Sequence, residues 1–81
     1  MFDTWIVLGK DDCPWCDRVK HLIEDEAPGN ILIDYTNVSK IPHLMTLMSM
    51  AGMTTVPQVF LNDQYIGGYQ AVEEFLHDGR T

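Results

Sequence analysis

Both cysteines of the chain stand within four residues of each other, in Asp12-Cys13-Pro14-Trp15-Cys16-Asp17, between a short β-branched run and an amphipathic stretch. No other feature constrains the fold as much. Thr4–Leu8 (TWIVL) reads as a strand stopped by Gly9. From Pro14 the pattern becomes helical. Proline suits a first helical position, where its missing N–H is not needed, and Asp12 or Cys13 falls at the cap. Val19, Leu22 and Ile23 share one face, and Ala27-Pro28-Gly29 ends the helix. Asn30–Tyr35 (NILIDY) follows as a second strand, apolar enough for a buried parallel position. Strand, helix and strand in this order make the two strands parallel, joined by a right-handed crossover.

The rest of the chain extends this unit. Ser39 is placed to cap a second helix from about Ile41, with Pro42 in its first turn and Gly52 as its stop. Ile41, Leu44, Met45 and Met48 follow the spacing of a core face. Four of the five methionines fall between positions 45 and 53, and they read as adaptable core filler, with Met50 alone opposite the core face. Gln58–Leu61 and Gln64–Ile66 flank Asn62-Asp63, a link suited to a tight hairpin. Gly67-Gly68 leads into a third helix with Val72, Phe75 and Leu76 on its apolar face and Gly79 at its end. The predicted order is β-α-β-α-β-β-α, an α/β fold with a four-stranded mixed sheet and three helices in one domain, residues 1–81.

Bulk properties exclude several functions. With 46% hydrophobic and 21% charged residues, the chain has the composition of an ordinary globular protein. A net charge of −7 argues against nucleic acid as a partner, since such a partner calls for a basic face. Ile41 to Asn62 carries no formal charge, but Pro42, Pro57, Gln58 and the threonines interrupt it, so no membrane segment is expected. The first residues lack the basic start and apolar core of a secretory leader, which points to a cytoplasmic protein. In that compartment disulfides are usually transient and catalytic.

Three readings of Cys13 and Cys16 compete. A structural zinc site takes four ligands, and the chain offers no second cysteine pair; His21, His43 and His77 are scattered. No metal is therefore expected. A structural staple across two intervening residues closes too small a loop to stabilise much. A Cys-x-x-Cys pair after a strand and opening a helix, inside a βαβ unit, is a thioredoxin-like redox motif, and this is the favoured reading. The spacing separates the sulfurs. Cys13 lies at the helix start, where free N–H groups, the helix dipole and nearby Lys10 favour a thiolate. Cys16 shares the face of Val19 and Ile23 and turns inward. Cys13 should attack and Cys16 should resolve. Asp11, Asp12 and Asp17 act in two opposed ways, as charges that disfavour a thiolate and as carboxylates suited to a helix start.

With Cys13-Pro14-Trp15-Cys16 placed in this way, the chain resembles a dithiol glutaredoxin over nearly its whole length. The resemblance rests on Lys10 and the CPWC motif after the first strand, Thr55-Val56-Pro57 before QVFL, and Gly67-Gly68-Tyr69 before the last helix. It implies a thioredoxin-like fold and a monomeric thiol–disulfide oxidoreductase that uses glutathione as reductant. Pro57 would be a cis-proline, leaving the main chain beside Thr55 and Val56 free to pair with a peptide-like substrate. Gly68, Tyr69 and Gln70 would hold the glutamyl end of glutathione at a helix N-terminus, Lys10 its other carboxylate, and Trp15 would wall the groove. Protein disulfides, that of ribonucleotide reductase among them, would be recipients.

The chain departs from the family after Gly-Gly-x. The family usually has a hydroxyl residue or aspartate there, often followed by aspartate, whereas this chain has Gln70 and Ala71. That departure keeps a second reading, a reductant recharged by thioredoxin reductase. A third reading is a glutathione-bridged iron–sulfur cluster carrier. Pro14 weighs against it, because the resemblance associates CPxC with the redox members.

Overall fold

A computed structural model of the chain describes residues 1–78. It contains strands β1 (Asp3–Gly9), β2 (Ile31–Asn37), β3 (Gln58–Leu61) and β4 (Gln64–Gly67), and helices α1 (Pro14–Glu26), α2 (Leu44–Met50) and α3 (Tyr69–Asp78). A 3-10 turn, Val38–Lys40, precedes α2. The strands form one mixed sheet in the order β2-β1-β3-β4. β1 runs parallel to β2, with Trp5 opposite Ile33 and Val7 opposite Tyr35. It runs antiparallel to β3, with Val7 opposite Val59. The predicted element order and mixed sheet are thus present. The expected stop of the last helix at Gly79 lies outside the described residues.

The alternation in β1 sends Trp5, Val7 and Gly9 to one buried face. α1 and α3 cover that face. Val19, Leu22 and Ile23 from α1, and Val72 and Leu76 from α3, close one core with Trp5, Val7 and Val59. Burying each large aliphatic side chain contributes about 1.5–3 kcal/mol. Phe75, expected in the same core, is 42% exposed and instead lays its ring against the edge of Trp5, with centroids 6.1 Å apart. The hairpin between β3 and β4 turns at Asn62 and Asp63, both left-handed (φ 48° and 67°), as a two-residue turn of this hand requires. Asn62 also ties the turn to β1. Its N–H donates to the Thr4 carbonyl at 2.9 Å, and its Oδ1 accepts the Thr4 N–H at 2.9 Å.

Three expectations are corrected. β2 is parallel but lies at the sheet edge, so none of its residues is buried and Leu32 faces solvent. The second helix begins at Leu44 rather than Ile41, because His43 adopts a left-handed conformation (φ 68°) that interrupts the helical path. Ser39 caps nothing; it sits inside the 3-10 turn, where Asn37 Oδ1 accepts both its N–H and its hydroxyl. The core face expected on this helix is also largely absent. Met48 is buried, but Ile41 and Met45 are exposed, as are Leu47 and Met50. The short α2 packs against the 3-10 turn rather than across the sheet.

Gly9 is required by a close approach. A Cβ at this position would overlap the Tyr35 hydroxyl, and would stand 2.7 Å from Tyr35 Cζ and 3.1 Å from Cys16 Cβ. Gly9→Ala should therefore destabilise the fold by about 1–3 kcal/mol, the usual cost of overpacking. Urea unfolding measures this, and an unchanged midpoint would mean that the Tyr35 ring yields freely.

Candidate active site

The loop after β1 delivers Cys13 to the start of α1 in a few steps. Asp12 turns the chain through a left-handed conformation (φ 54°), and Cys13 is extended (φ −118°, ψ 94°) as the N-cap, with Pro14 in the first turn. Cys13 and Cys16 are joined in a disulfide with their Cα atoms 5.3 Å apart, so the chain is in its oxidised form. The Cys16 N–H donates to Cys13 Sγ at 3.2 Å. A helix-start N–H aimed at this sulfur stabilises negative charge on it once the pair is reduced. Cys13 is half-buried, while Cys16 has 0% exposure. An incoming sulfur therefore reaches Cys13 and not Cys16.

Lys10, Asp11, Asp12, Asp17, Lys20 and Tyr35 line the recess in which Cys13 lies. The acids are not equivalent. Asp11 accepts a hydrogen bond of 2.8 Å from Asn37 Nδ2 at the end of β2, which tethers the loop. Cys13, rather than Asp12, occupies the cap. Partial burial, then the charges of Asp17 and Asp11, push the Tyr35 phenol above its ordinary pKa of 10.0, so it stays protonated and able to donate through the neutral range.

The other landmarks converge on the cysteine pair from distant parts of the chain. Trp15, exposed beside the disulfide, packs its ring on Tyr69 with centroids 5.1 Å apart, and the Arg18 guanidinium carbon stands 4.6 Å from the Trp15 ring centroid as a cation–π contact. Gly68 lies against the Pro57 carbonyl, 3.5 Å from where its Cβ would be. The Val56–Pro57 peptide bond is cis. Neither the N–H nor the carbonyl of Val56 has a hydrogen-bond partner among the described residues. Lys10 borders both the Cys13 recess and a groove along Thr55 and Val56. Gln70 is exposed at the start of α3, where the Gly68 carbonyl accepts the Val72 N–H at 3.1 Å. Gly67 must be glycine, having φ 134° and only 2.8 Å between a would-be Cβ and that of Ala71.

Two residues of the site were not singled out from the sequence. Gln58, 6% exposed, donates from Nε2 to the Thr55 carbonyl at 2.9 Å and accepts the Tyr65 hydroxyl at 2.6 Å on Oε1, clamping the segment before Pro57 to β4. Its signal was a polar residue opening an otherwise apolar strand directly after a proline. Tyr35 reaches the underside of the pair across Gly9, and no local pattern marks it. Among the described residues no group of three or more His, Cys, Asp or Glu is placed to hold a metal, and no helix is long and apolar enough to cross a membrane.

Comparison with known proteins agrees with this geometry. The glutaredoxin family model matches residues 6–66. Glutaredoxin-C6 of Oryza sativa subsp. japonica is 38% identical, over 93% of this chain and 68% of its own length. Glutaredoxin 1 of Escherichia coli K12 is 35% identical, over 79% of this chain and 81% of its own. A solved buckwheat glutaredoxin–glutathione complex superposes with a TM-score of 0.76 at 27% identity, covering 96% of this chain and 72% of that one.

The clamp made by Gln58 generates a prediction. Gln58→Leu keeps the volume but removes both hydrogen bonds, and should cost about 1–3 kcal/mol. It should also speed amide hydrogen exchange at Thr55 and Val56. Unchanged stability and exchange would mean that the loop is held by packing alone.

Proposed function

The chain belongs to the glutaredoxin family and is a thiol–disulfide oxidoreductase, and from that premise we propose that glutathione supplies its electrons and that Cys13 is the attacking sulfur. The observation that carries this reading is the unequal exposure of the two sulfurs at a helix N-terminus, in a recess that shares Lys10 with the groove along the open main chain of Val56. The Cys13 thiolate attacks one sulfur of a substrate disulfide. A Cys13–substrate disulfide forms, the substrate S–S bond breaks, and the departing thiolate takes a proton. Cys16 then gives up its proton and attacks Cys13 Sγ. The second substrate thiolate is released and the Cys13–Cys16 disulfide seen here is formed. One glutathione thiolate opens that bond at Cys13, and a second removes the first as oxidised glutathione, returning both cysteines to thiols.

The surroundings support a place for the tripeptide. The Val56 main chain is free to pair with its backbone. Lys10 offers a cation for one carboxylate, and the N–H groups of Gly68, Tyr69 and Gln70 at the start of α3 suit the other. Trp15 and Tyr69 supply an aromatic wall. Protein disulfides, that of ribonucleotide reductase among them, are the proposed recipients. One observation favours a second reading, recharge by thioredoxin reductase: α3 opens with Gln70 and Ala71, leaving no acid in its first turn for the glutamyl ammonium.

The deciding experiment feeds electrons to the oxidised protein either from glutathione with its reductase or from thioredoxin reductase, and follows NADPH consumption. Turnover with the first and not the second is expected, and the reverse would replace glutathione as the electron source. In the same assay Cys13→Ser should abolish reduction of every disulfide. Cys16→Ser should retain reduction of glutathione mixed disulfides while losing most activity on protein disulfides; the opposite pattern would exchange the roles. Gln70→Asp should lower KM for glutathione mixed disulfides about two- to fivefold, the effect of one exposed charge pair. An unchanged KM would make the missing acid irrelevant.

A further inference from the structure

The methionines expected in the core stand largely outside it. Met45 is 56% exposed and Met53 half-buried, and among the apolar residues of α2 Met48 alone is buried; Met50, read as opposite the core face, is 79% exposed. Met45, Met48 and Met53 line a groove of about 290 Å³ together with Val38, Val56 and Lys10 and the polar Ser49, Thr54 and Thr55. Lys10 also borders the recess of Cys13, so the groove and the recess of the redox pair adjoin at this residue. Its apolar part is made of methionine and valine side chains, and the main chain of Val56 is unpaired among the described residues.

This lining exceeds what glutathione needs. The tripeptide is short and charged at both ends, and it has no large apolar side chain to bring into a methionine pocket. An extended polypeptide does. On a strand added along Val56, residues advance about 3.3 Å each, so a neighbour within two positions of a cysteine linked to Cys13 falls within reach of the groove. Methionine has three rotatable side-chain bonds and a polarizable sulfur, and repacks around apolar partners of different shape. The net charge of −7 disfavours acidic segments at the same place.

We propose that the Met45–Met48–Met53 groove docks the protein substrate itself, receiving a large apolar side chain within two residues of the cysteine that becomes linked to Cys13. This rests on the reading of Cys13 as the attacking sulfur and adds to it a substrate class: disulfides in apolar, non-acidic sequence. Met45, Met48 and Met53 are then specificity determinants that act on polypeptides more than on glutathione.

The test uses the full chain with Cys16→Ser, labelled with carbon-13 in the methionine methyl groups. It is linked through Cys13 in turn to glutathione, to a short peptide with leucine two residues from its only cysteine, and to the same peptide with aspartate in place of leucine. The leucine peptide should shift the Met45, Met48 and Met53 methyl signals further than glutathione or the aspartate peptide does, and it alone should give cross-relaxation from them to its own methyl groups, with Met1 and Met50 unmoved. In steady state, the unsubstituted protein should prefer the leucine over the aspartate peptide, each presented as its mixed disulfide with glutathione, by about tenfold in kcat/KM. Met45→Gln should reduce that ratio to about two- to threefold. Identical spectra for the two peptides, or shifts at Met50 instead, would overturn the groove as the docking site. Shifts that appear with protein concentration and no peptide would assign the face to a second copy of the chain and overturn it as well. Failure of Cys13 to accept any of the three thiols would strike at the attacking-sulfur assignment first, and this inference would fall with it.

Discussion

The site depends on the packing of α1 against β1. Cys16, Val19 and Ile23 turn toward Trp5, Val7 and Gly9, and the absence of a side chain at Gly9 leaves room for both Cys16 and Tyr35. That contact orients the helix start. With Cys16 held in the interior, Cys13 is left at the N-cap with its sulfur facing out and an N–H directed at it. The chemical difference between two identical side chains therefore comes from a packing contact on one of them. Burial makes one sulfur accessible only from within, and the helix terminus makes the other the better site for negative charge.

The remainder of the site is assembled by contacts between segments far apart in the chain. Trp15 meets Tyr69, Gly68 meets Pro57, and Gln58 binds both Thr55 and Tyr65. Each contact joins one sequence landmark to the next, so the cysteine pair, the segment before Pro57 and the start of α3 behave as one surface. The buried Gln58 amide matters here because its hydrogen bonds hold the Thr55 region in place, leaving the Val56 main chain free of internal partners. An unpaired strand edge is usually a liability. Under the proposed function it is the feature that would give an extended ligand its register.

The acids around the pair have divided tasks. Asp11 is engaged by Asn37 and anchors the loop, while Asp17 and then Asp11 add to burial, the larger cause, in raising the Tyr35 phenol above its ordinary pKa. α2 makes the opposite trade from α1. It contributes little to the core and leaves methionine and leucine side chains in solvent next to the site, a cost in a domain of 81 residues unless that surface is used.

Much of this was legible in the residues alone. The order of elements, the parallel start of the sheet, the hairpin at Asn62-Asp63 and the unequal roles proposed for Cys13 and Cys16 all follow from local signals: alternation, helical spacing, proline at a helix start, and turn residues. These signals act within a few residues, so the linear sequence carries them. The same reasoning failed at β2 and α2. Periodicity shows which residues share a face, but not whether another element exists to cover it. Leu32 lies on a strand with no neighbour on one side, and Met45 lies on a helix that no sheet face receives. The start of α2 was decided by a left-handed His43, for which the sequence has no marker. Sequence by itself thus determined the elements and the redox motif, because backbone preferences and side-chain periodicity are local. Tertiary structure decided what is buried, how Gln58 and Tyr35 join the site, and that Met45 faces solvent while Met48 does not, because each of these depends on which distant surface arrives to exclude water.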